Sequence, residues 1–567
     1  MKKELQTFEN WPFKVPSINV AIKNINKLTS QLENAPSAKV AIQIVKKHMK
    51  LTDLLQNDFT NVSVRYSIET NNKIYQKAQE KIDEGYPKIQ AAELSFVDAL
   101  LGCKYRKEME KKFGAFFFKI LDYSKKSFSK EVVDEAILEN KLSTQYASLI
   151  AGCKVPFEGN YYNLPQMGKF MTDKDRKLRE KASKAYYGYL ETRVDEIEDI
   201  YDKLVKVRDS MAKKMGFNNY VELAYVKMNR FDYDQEDVAR YREEIRKYVT
   251  PIAGRITRMQ FKKNRIYRPK VFDLGVYFKE GNPLPKGNTL EKVEAARKMY
   301  NALSKETSYF FSYMVDHHVM DLEAKEGKQS GGYMTYFPVY KIPFIFSNFN
   351  GTSGDVDVLT HEFGHSFQAY MARDIKIPEY RSPTMESCEI HSMSMEFFAE
   401  PYMDLFFDEP DKYRYIHLAD SICFLPYGAI VDEFQEWVYL NPNCQKGDRD
   451  RKWHELEEKY TPYKLRCFKG CDYMYTGHRW LTQAHIFQNP FYYIDYTLAQ
   501  VMAFEFFILD NKDHQKAWST YLKLCKLGGR YPFRTLVKKC KLKDPFKEGT
   551  VKKVINSVFN ILKSYNL

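Results

Sequence analysis

The sequence contains the run His361-Glu362-Phe363-Gly364-His365, in which two histidines are four residues apart. In a helix this spacing puts both imidazoles on one face, where they can bind a single metal ion. Glu362 then lies beside the position of a metal-bound water and can act as its base. We therefore expect His361 and His365 to bind one Zn²⁺ per chain, as in zinc peptidases.

The position of a third ligand distinguishes classes of zinc enzyme. A metzincin would have glycine and histidine where this chain has Gln368 and Met371. Thermolysin-like and aminopeptidase-like enzymes place a glutamate where this chain has Thr384 and Met385. The sequence excludes all of these classes.

Four glutamates follow in a predicted helical segment that Ser382-Pro383 opens and Pro401 closes; they are Glu386, Glu389, Glu396 and Glu400. Seven residues make nearly two helical turns, so Glu389 and Glu396 share a face. We assign Glu389 as the third metal ligand and Glu396 as a carboxylate that orients a ligating histidine. Two imidazoles and one carboxylate leave a position open for water, which is typical of a catalytic zinc site.

The helix that carries the histidines is predicted to begin near Thr352, since Thr352 and Asp355 have the spacing of a capping box. Apolar residues recur at helical spacing along it and lie opposite the two histidines. They are Val356, Leu359, Phe363, Phe367 and Tyr370.

The segment from Tyr333 to Phe349 is rich in Ile, Phe and Tyr and is predicted to be extended. An exposed strand edge beside the zinc could pair with an extended peptide through main-chain hydrogen bonds. An ordinary core sheet is the alternative. We predict Phe346, Asn348 and, in the following turn, Gly351 as substrate-binding residues.

The run from Glu389 to Phe398, downstream of the two histidines, resembles the M3 metallopeptidases, in particular their oligoendopeptidase F-like branch. Gly331-Gly332-Tyr333 and the run Ile342 to Phe349 are similar to the family's strand before the zinc helix. His485 and the run Phe491 to Tyr496 are similar to its substrate-contacting segment. The resemblance is clear for the C-terminal two-thirds of the chain and looser before that.

The resemblance implies that His485, Tyr493 and Tyr496 stabilise the oxyanion, with Tyr492 as a substrate-binding residue and as the alternative to Tyr493. From the residues alone this aromatic run could be core, because the chain has 42 tyrosines. The resemblance also implies a zinc site at the base of a deep channel that admits short unfolded peptides and excludes folded proteins.

The composition is that of an ordinary soluble protein, with 44% hydrophobic and 29% charged residues among 567. The first ten residues lack the apolar stretch of a signal peptide, and no run is long enough to span a membrane. We expect a cytoplasmic protein without a membrane partner. The formal charge of +14 is spread among acidic residues, so we expect no nucleic-acid partner.

The sequence predicts a mainly α-helical fold, a large ellipsoid with a deep substrate channel and a small β-sheet beside the zinc helix. We predict a helical N-terminal region at 1–170 and a zinc-binding catalytic region at 171–567. A long helical pattern begins at Thr172 with Asp175 and ends at Gly216, and Asp234 with Asp237 begins another helix.

Together these features predict a cytoplasmic zinc-dependent endopeptidase that hydrolyses short oligopeptides, with Glu362 as general base. One alternative is a non-catalytic peptide-binding protein with a structural zinc, and another is a peptidase that acts on free peptide termini. Glu362 favours an enzyme because it is not a metal ligand. The sequence leaves open the oligomeric state, the cleavage preference and whether Co²⁺ or Mn²⁺ replaces zinc.

Overall fold

The computed structural model describes residues 6–565 and 567, and most of them are helical. The predicted mainly α-helical fold is confirmed. Among the described helices, none combines the length and the apolar content needed to cross a bilayer.

The first part of the chain is an array of helices interrupted by one hairpin. These helices are α1 (Ile18–Glu33), α2 (Ala38–Ile68), α3 (Lys73–Leu101), α4 (Arg106–Phe113), α5 (Ala115–Ser127), α6 (Val133–Ala151), α7 (Leu164–Met171), α8 (Arg176–Glu191), α9 (Val194–Lys214), α10 (Tyr220–Lys227), α11 (Gln235–Glu244), α12 (Thr250–Lys263), α13 (Thr289–Leu303) and α14 (Lys305–Asp316). Strands β1 (Val155–Phe157) and β2 (Asn160–Tyr162) form the antiparallel hairpin.

The second part begins with a three-stranded sheet and continues as helices. The strands are β3 (Met320–Glu323), β4 (Tyr333–Phe337) and β5 (Ile342–Phe349). The helices are α15 (Gly354–Ala372), α16 (Met385–Ala399), α17 (Pro410–Leu440), α18 (Lys446–Tyr460), α19 (Pro462–Phe468), α20 (Asp472–Tyr475), α21 (Ala484–Gln488), α22 (Tyr493–Asp510), α23 (His514–Leu527), α24 (Phe533–Lys539) and α25 (Thr550–Ser564).

The strand order of the three-stranded sheet is β3-β5-β4. The central strand β5 is parallel to β3 and antiparallel to β4, and it packs against α15. The extended segment predicted from Tyr333 to Phe349 is therefore present as β4 and β5. Because β5 is paired on both sides, β4 is the strand of this segment at an edge of the sheet.

Helices α1 to α5 share a core of their own, which includes Ile25, Phe59, Phe96 and Phe117. The end of α15 and the segment after it join this core through Ala372, Ile375 and Tyr380. A second, larger core joins α6 and α9 to the helices from α13 to α25. The division at residue 170 stays a prediction.

Two of the predicted capping boxes are wrong. Asp175 is itself the N-cap of α8, and Thr192 and Arg193 separate α8 from α9 within the predicted long pattern. At α15, the Asp355 carboxylate accepts from the Asn350 and Gly351 amides and pairs with Lys292, so it does not cap the helix with Thr352. The capping box of Asp234 and Asp237 is confirmed.

Helix α15 is buried along the apolar side that the sequence predicts. The Phe363 ring lies 3.8 Å from that of Tyr300 on α13, centroid to centroid, and Phe367 packs against Trp518 and Tyr521 on α23. Aromatic contacts of this kind fix both the depth and the rotation of the helix. The opposite side of α15 therefore carries its histidines towards α16.

Helices α15 and α16 cross at Gly364. A Cβ atom at this residue would lie 2.6 Å from the His391 carbonyl oxygen and 2.7 Å from Ser392 Cα. Both atoms belong to the α16 backbone and cannot move without moving the helix. Gly364 therefore sets the distance between α15 and α16, and α16 packs in turn against α22.

We predict that Gly364→Ala destabilises the protein by about 3 kcal/mol, because overpacking against backbone forces the helices apart. The matched control is Gly188→Ala in α8, where a Cβ would meet no atom within 4 Å. Alanine there should stabilise the helix by about 0.5–1 kcal/mol. Thermal unfolding midpoints measure both effects, and equal midpoints for the two variants would contradict the account.

Candidate metal centre

Helices α15 and α16 bring the three predicted metal ligands together. The Nε2 atoms of His361 and His365 lie 3.2 and 3.3 Å from Glu389 Oε2. One ligand atom from each residue lies within 4.8 Å of the others. Two imidazole nitrogens and one carboxylate oxygen are a donor set that suits Zn²⁺, so the residues fit such an ion.

Glu396 lies behind His361 and fixes its ring. Glu396 Oε1 is 2.6 Å from His361 Nδ1, so Nδ1 carries the proton and Nε2 is left to bind metal. Its other oxygen is 2.8 Å from His417 Nε2, and His417 Nδ1 is 3.0 Å from Glu400. Burial opposes the charge on Glu396, but hydrogen bonds with the two histidines outweigh burial and lower its pKa.

The Glu389 carboxylate has two neighbours besides the histidines. The Ser392 hydroxyl donates to Oε2 at 2.8 Å, and the Tyr492 hydroxyl donates to Oε1. Burial again opposes the charge, and the two histidines overcome it and hold the pKa of Glu389 well below its ordinary value. The carboxylate is therefore anionic and fixed, as a metal ligand must be.

Glu362 is buried at 6% exposure, and its Oε2 atom has no hydrogen-bond partner among the described residues. Burial raises the pKa of this carboxyl, and His361 and His365 oppose the rise. The backbone at Gly332 lies over it, since a Cβ there would be 3.6 Å from Glu362 Oε1. Glu362 thus has the position and the free oxygen of a general base.

His485 and Tyr496 form a chain of oriented hydrogen bonds. The Tyr427 hydroxyl donates to Gln483 Oε1, which turns the Gln483 amide nitrogen towards His485 Nδ1 at 2.9 Å. Nδ1 is then an acceptor, and Nε2–H donates to the Tyr496 oxygen at 3.2 Å. Burial lowers the pKa of His485 to about 4, so the ring is neutral at pH 7.

The Tyr496 ring packs beside that of Tyr492, whose hydroxyl bonds to Glu389. Burial raises its pKa well above the ordinary value, and the Glu389 and Glu362 carboxylates raise it further. Because its oxygen accepts from His485, its own hydrogen is left to donate to a substrate oxygen. The sequence did not identify Gln483 and Tyr427, whose roles depend on contacts between distant segments.

The structure places the Tyr493 ring next to His485 and Tyr496, and its role stays a prediction. Its ring packs against Phe424, Tyr427 and His485, and the charges that act on its pKa come from Tyr427 and Arg479. Tyr492 takes the position beside Glu389. The reason is that Tyr492 is the residue before the first turn of α22, where its side chain points back towards α16.

The three predicted substrate-binding residues around β5 have other partners. Phe346 is fully buried in the central strand and stacks on Tyr333, so it is a core residue. The side-chain amide of Asn348 donates to the Gln329 and Gly331 carbonyls. The backbone N–H of Gly351 donates to the Asp355 carboxylate. Asn348 and Gly351 therefore shape the loops next to Glu362.

Two buried arginines hold the loop between His485 and Tyr492. Arg208 donates to the Ile486 and Phe487 carbonyls at 3.3 and 2.5 Å. Arg230 donates to the Phe491 carbonyl at 2.6 Å and pairs with Asp495. Phe491 has a positive φ of 67°, which a non-glycine residue adopts only when its surroundings enforce it.

Two adjoining cavities lie next to the centre. One, of about 590 Å³, includes Asp83, Thr384 and Tyr492 in its wall, and we call it the Asp83 cavity. The other, of about 620 Å³, includes Tyr333 and Thr335 of β4, and we call it the Tyr333 cavity. Both are lined by Ser143, Thr144, Gln488 and Asn489, so the two cavities meet there.

Comparisons with known proteins agree with the resemblance seen in the sequence. The model of the peptidase M3 N-terminal domain matches residues 8–128, and that of peptidase family M3 matches residues 289–554. The solved structure of PZ peptidase A with an inhibitor is 41% identical, with a TM-score of 0.96, over 98% of this chain and 99% of that one.

Two bacterial peptidases are more distant relatives. Oligopeptidase PepF of Bacillus subtilis is 20% identical over 94% of this chain and 81% of its own length. Oligoendopeptidase F of Lactococcus lactis is 24% identical over 46% of this chain and 42% of its own length.

Proposed function

The chain belongs to peptidase family M3 and is a metallopeptidase, and on this basis we propose that it is a zinc-dependent endopeptidase of short, unfolded peptides. The observation that carries the proposal is the convergence of His361, His365 and Glu389 beside Glu362. Glu362 Oε2 is buried without a hydrogen-bond partner in the part of the chain that the structure describes, which is costly unless a substrate or a water uses it. A purely structural zinc site would give no reason for this carboxylate.

His361, His365 and Glu389 would hold the zinc ion, with Glu396 orienting His361. When bound, zinc lowers the pKa of a water and polarises the peptide carbonyl. Glu362 accepts the proton of the attacking water and delivers it to the leaving amine nitrogen. Its raised pKa makes this carboxylate a better proton acceptor than an ordinary glutamate.

Tyr496 and His485 would stabilise the negative charge that develops on the substrate carbonyl oxygen. Tyr496 donates its hydroxyl hydrogen to that oxygen, and the neutral His485 keeps the hydroxyl in place through Nε2–H. Tyr492 stays hydrogen-bonded to Glu389 and holds the ligand. Donors fixed in advance are effective because they need no reorientation in the transition state.

The edge of β4 is the proposed binding strand for an extended peptide. Its residues Tyr333 to Thr335 line the Tyr333 cavity, and Gly332 leads from it to Glu362. Main-chain pairing with an edge strand depends little on side chains, which suits a peptidase of broad specificity. A cytoplasmic location stays a prediction.

We predict that Glu362→Gln lowers kcat at least about a hundredfold while zinc remains bound, because the variant loses the proton acceptor but no ligand. Mass spectrometry of an acetylated and amidated peptide after incubation with the zinc-loaded proteins measures cleavage, and metal analysis measures zinc. Internal cleavage at the wild-type rate by the variant would contradict the role of Glu362. An intact blocked peptide with wild-type protein would contradict endopeptidase activity.

We predict different effects for two neighbouring tyrosines. Tyr496→Phe should lower kcat about 10²–10³-fold with little change in KM, because it removes a donor to the oxyanion. Tyr493→Phe is the matched control and should change kcat less than about threefold, since its ring contacts are retained. Steady-state kinetics on one blocked peptide measures both effects. A larger loss of kcat in Tyr493→Phe than in Tyr496→Phe would make Tyr493 the donor.

A further inference from the structure

The Asp83 cavity opens beside the proposed catalytic residues. Thr384 and Met385, at the start of α16, line it together with Tyr492, whose hydroxyl bonds to the ligand Glu389. Asp83 and Tyr86 come from α3 on the other side. The cavity therefore extends from Tyr492, which holds the ligand Glu389, to α3.

The Asp83 carboxylate is held in a fixed position by neutral donors. Gln79 Nε2 donates to Oδ1 at 2.8 Å, and the Thr144 hydroxyl donates to Oδ2 at 3.1 Å. No Lys, Arg or His among the described residues pairs with it, although 88 residues of the chain are Lys or Arg. Asp83 therefore has hydrogen-bond donors but no cationic partner among these residues.

The charges around Asp83 do not compensate it. Burial raises its pKa, and the nearby Glu80 and Glu84 carboxylates raise it further. Lys227 lines the same cavity, but it is already paired, since its Nζ atom lies 3.3 Å from Glu139 Oε2. Arg208 also pairs with Glu139. Lys141 is paired with Glu84 at 2.9 Å. A cation entering the cavity would find Asp83 free to bind it.

We propose that the Asp83 cavity is a specificity site in which Asp83 binds a cationic group of the peptide substrate. The group is the side chain of a lysine or arginine or the α-ammonium of a free amino terminus. The proposal rests on the peptidase function above. Met385 and Tyr86 are 38% and 40% exposed at the cavity and offer apolar contacts for the stem of a long basic side chain.

The test compares short blocked peptides in which one lysine is moved along an otherwise neutral sequence. Each is mixed with a peptide that carries norleucine in place of lysine, and mass spectrometry follows both in the same reaction. We expect cleavage at a constant distance from the lysine. We also expect kcat/KM of the lysine peptide to be about tenfold higher than that of the norleucine peptide, because a charged hydrogen bond in a partly buried site has about this effect. The ratio is independent of how much of a variant is folded.

Asp83→Asn should bring the ratio close to one, and Asp83→Lys should reverse it. Glu84→Gln is the matched control, because it removes an equal charge at the next residue, where Lys141 already pairs with it. The control should keep the wild-type ratio. A wild type that prefers neither lysine at any position nor a free amino terminus would overturn the proposal. Preferences that Asp83→Asn leaves unchanged would overturn it too.

A second arm uses the norleucine peptide with a free amino terminus. A preference for this peptide over its acetylated form that Asp83→Asn removes would support the site and identify the α-ammonium as its ligand. Failure of the wild type to cut any of the peptides, with lysine or norleucine and with blocked or free ends, would instead contradict the peptidase function on which the site rests.

Discussion

The close contact of α15 and α16 at Gly364 is the constraint on which the metal centre depends. His361 and His365 lie on either side of this residue, and Glu389 lies next to the α16 backbone that it touches. Only a residue without a Cβ lets the helices approach until the three ligand atoms meet. The aromatic rings behind Phe363 and Phe367 hold α15 against that contact, so core packing and site geometry have the same origin.

Burying so many ionisable groups is costly, and the protein offsets the cost by pairing them in chains. One chain runs from His361 through Glu396 and His417 to Glu400. Another runs from Tyr427 through Gln483 and His485 to Tyr496. In the first chain the Glu396 carboxylate accepts from both histidines, and in the second each hydrogen bond decides the direction of the next. The catalytic atoms are therefore oriented before substrate binds. Glu362 stands outside both chains, which leaves it free for proton transfer.

Local spacing was enough to predict the helix of His361 and His365, the mainly helical fold and the extended segment before the zinc helix. It was not enough where contacts join distant segments. The sequence did not show that the Phe346 side chain is buried, because this depends on the pairing of β5 with β3, which lies outside the predicted segment. The sequence alone does not tell which of Tyr492 and Tyr493 lies beside Glu389. Tyr492 takes this position because α22 begins directly after it, where the chain packs against α16. His417 and Gln483 carried no local signal.

The most direct test of this account is a crystal structure of the zinc-loaded protein with anomalous diffraction collected at the zinc absorption edge. The account predicts one strong anomalous peak at about 2.0–2.2 Å from His361 Nε2, His365 Nε2 and a Glu389 oxygen, with His361 Nδ1 still bonded to Glu396. A peak elsewhere in the chain, or a zinc ion that Glu362 binds directly, would contradict the assignment of three ligands and a separate base.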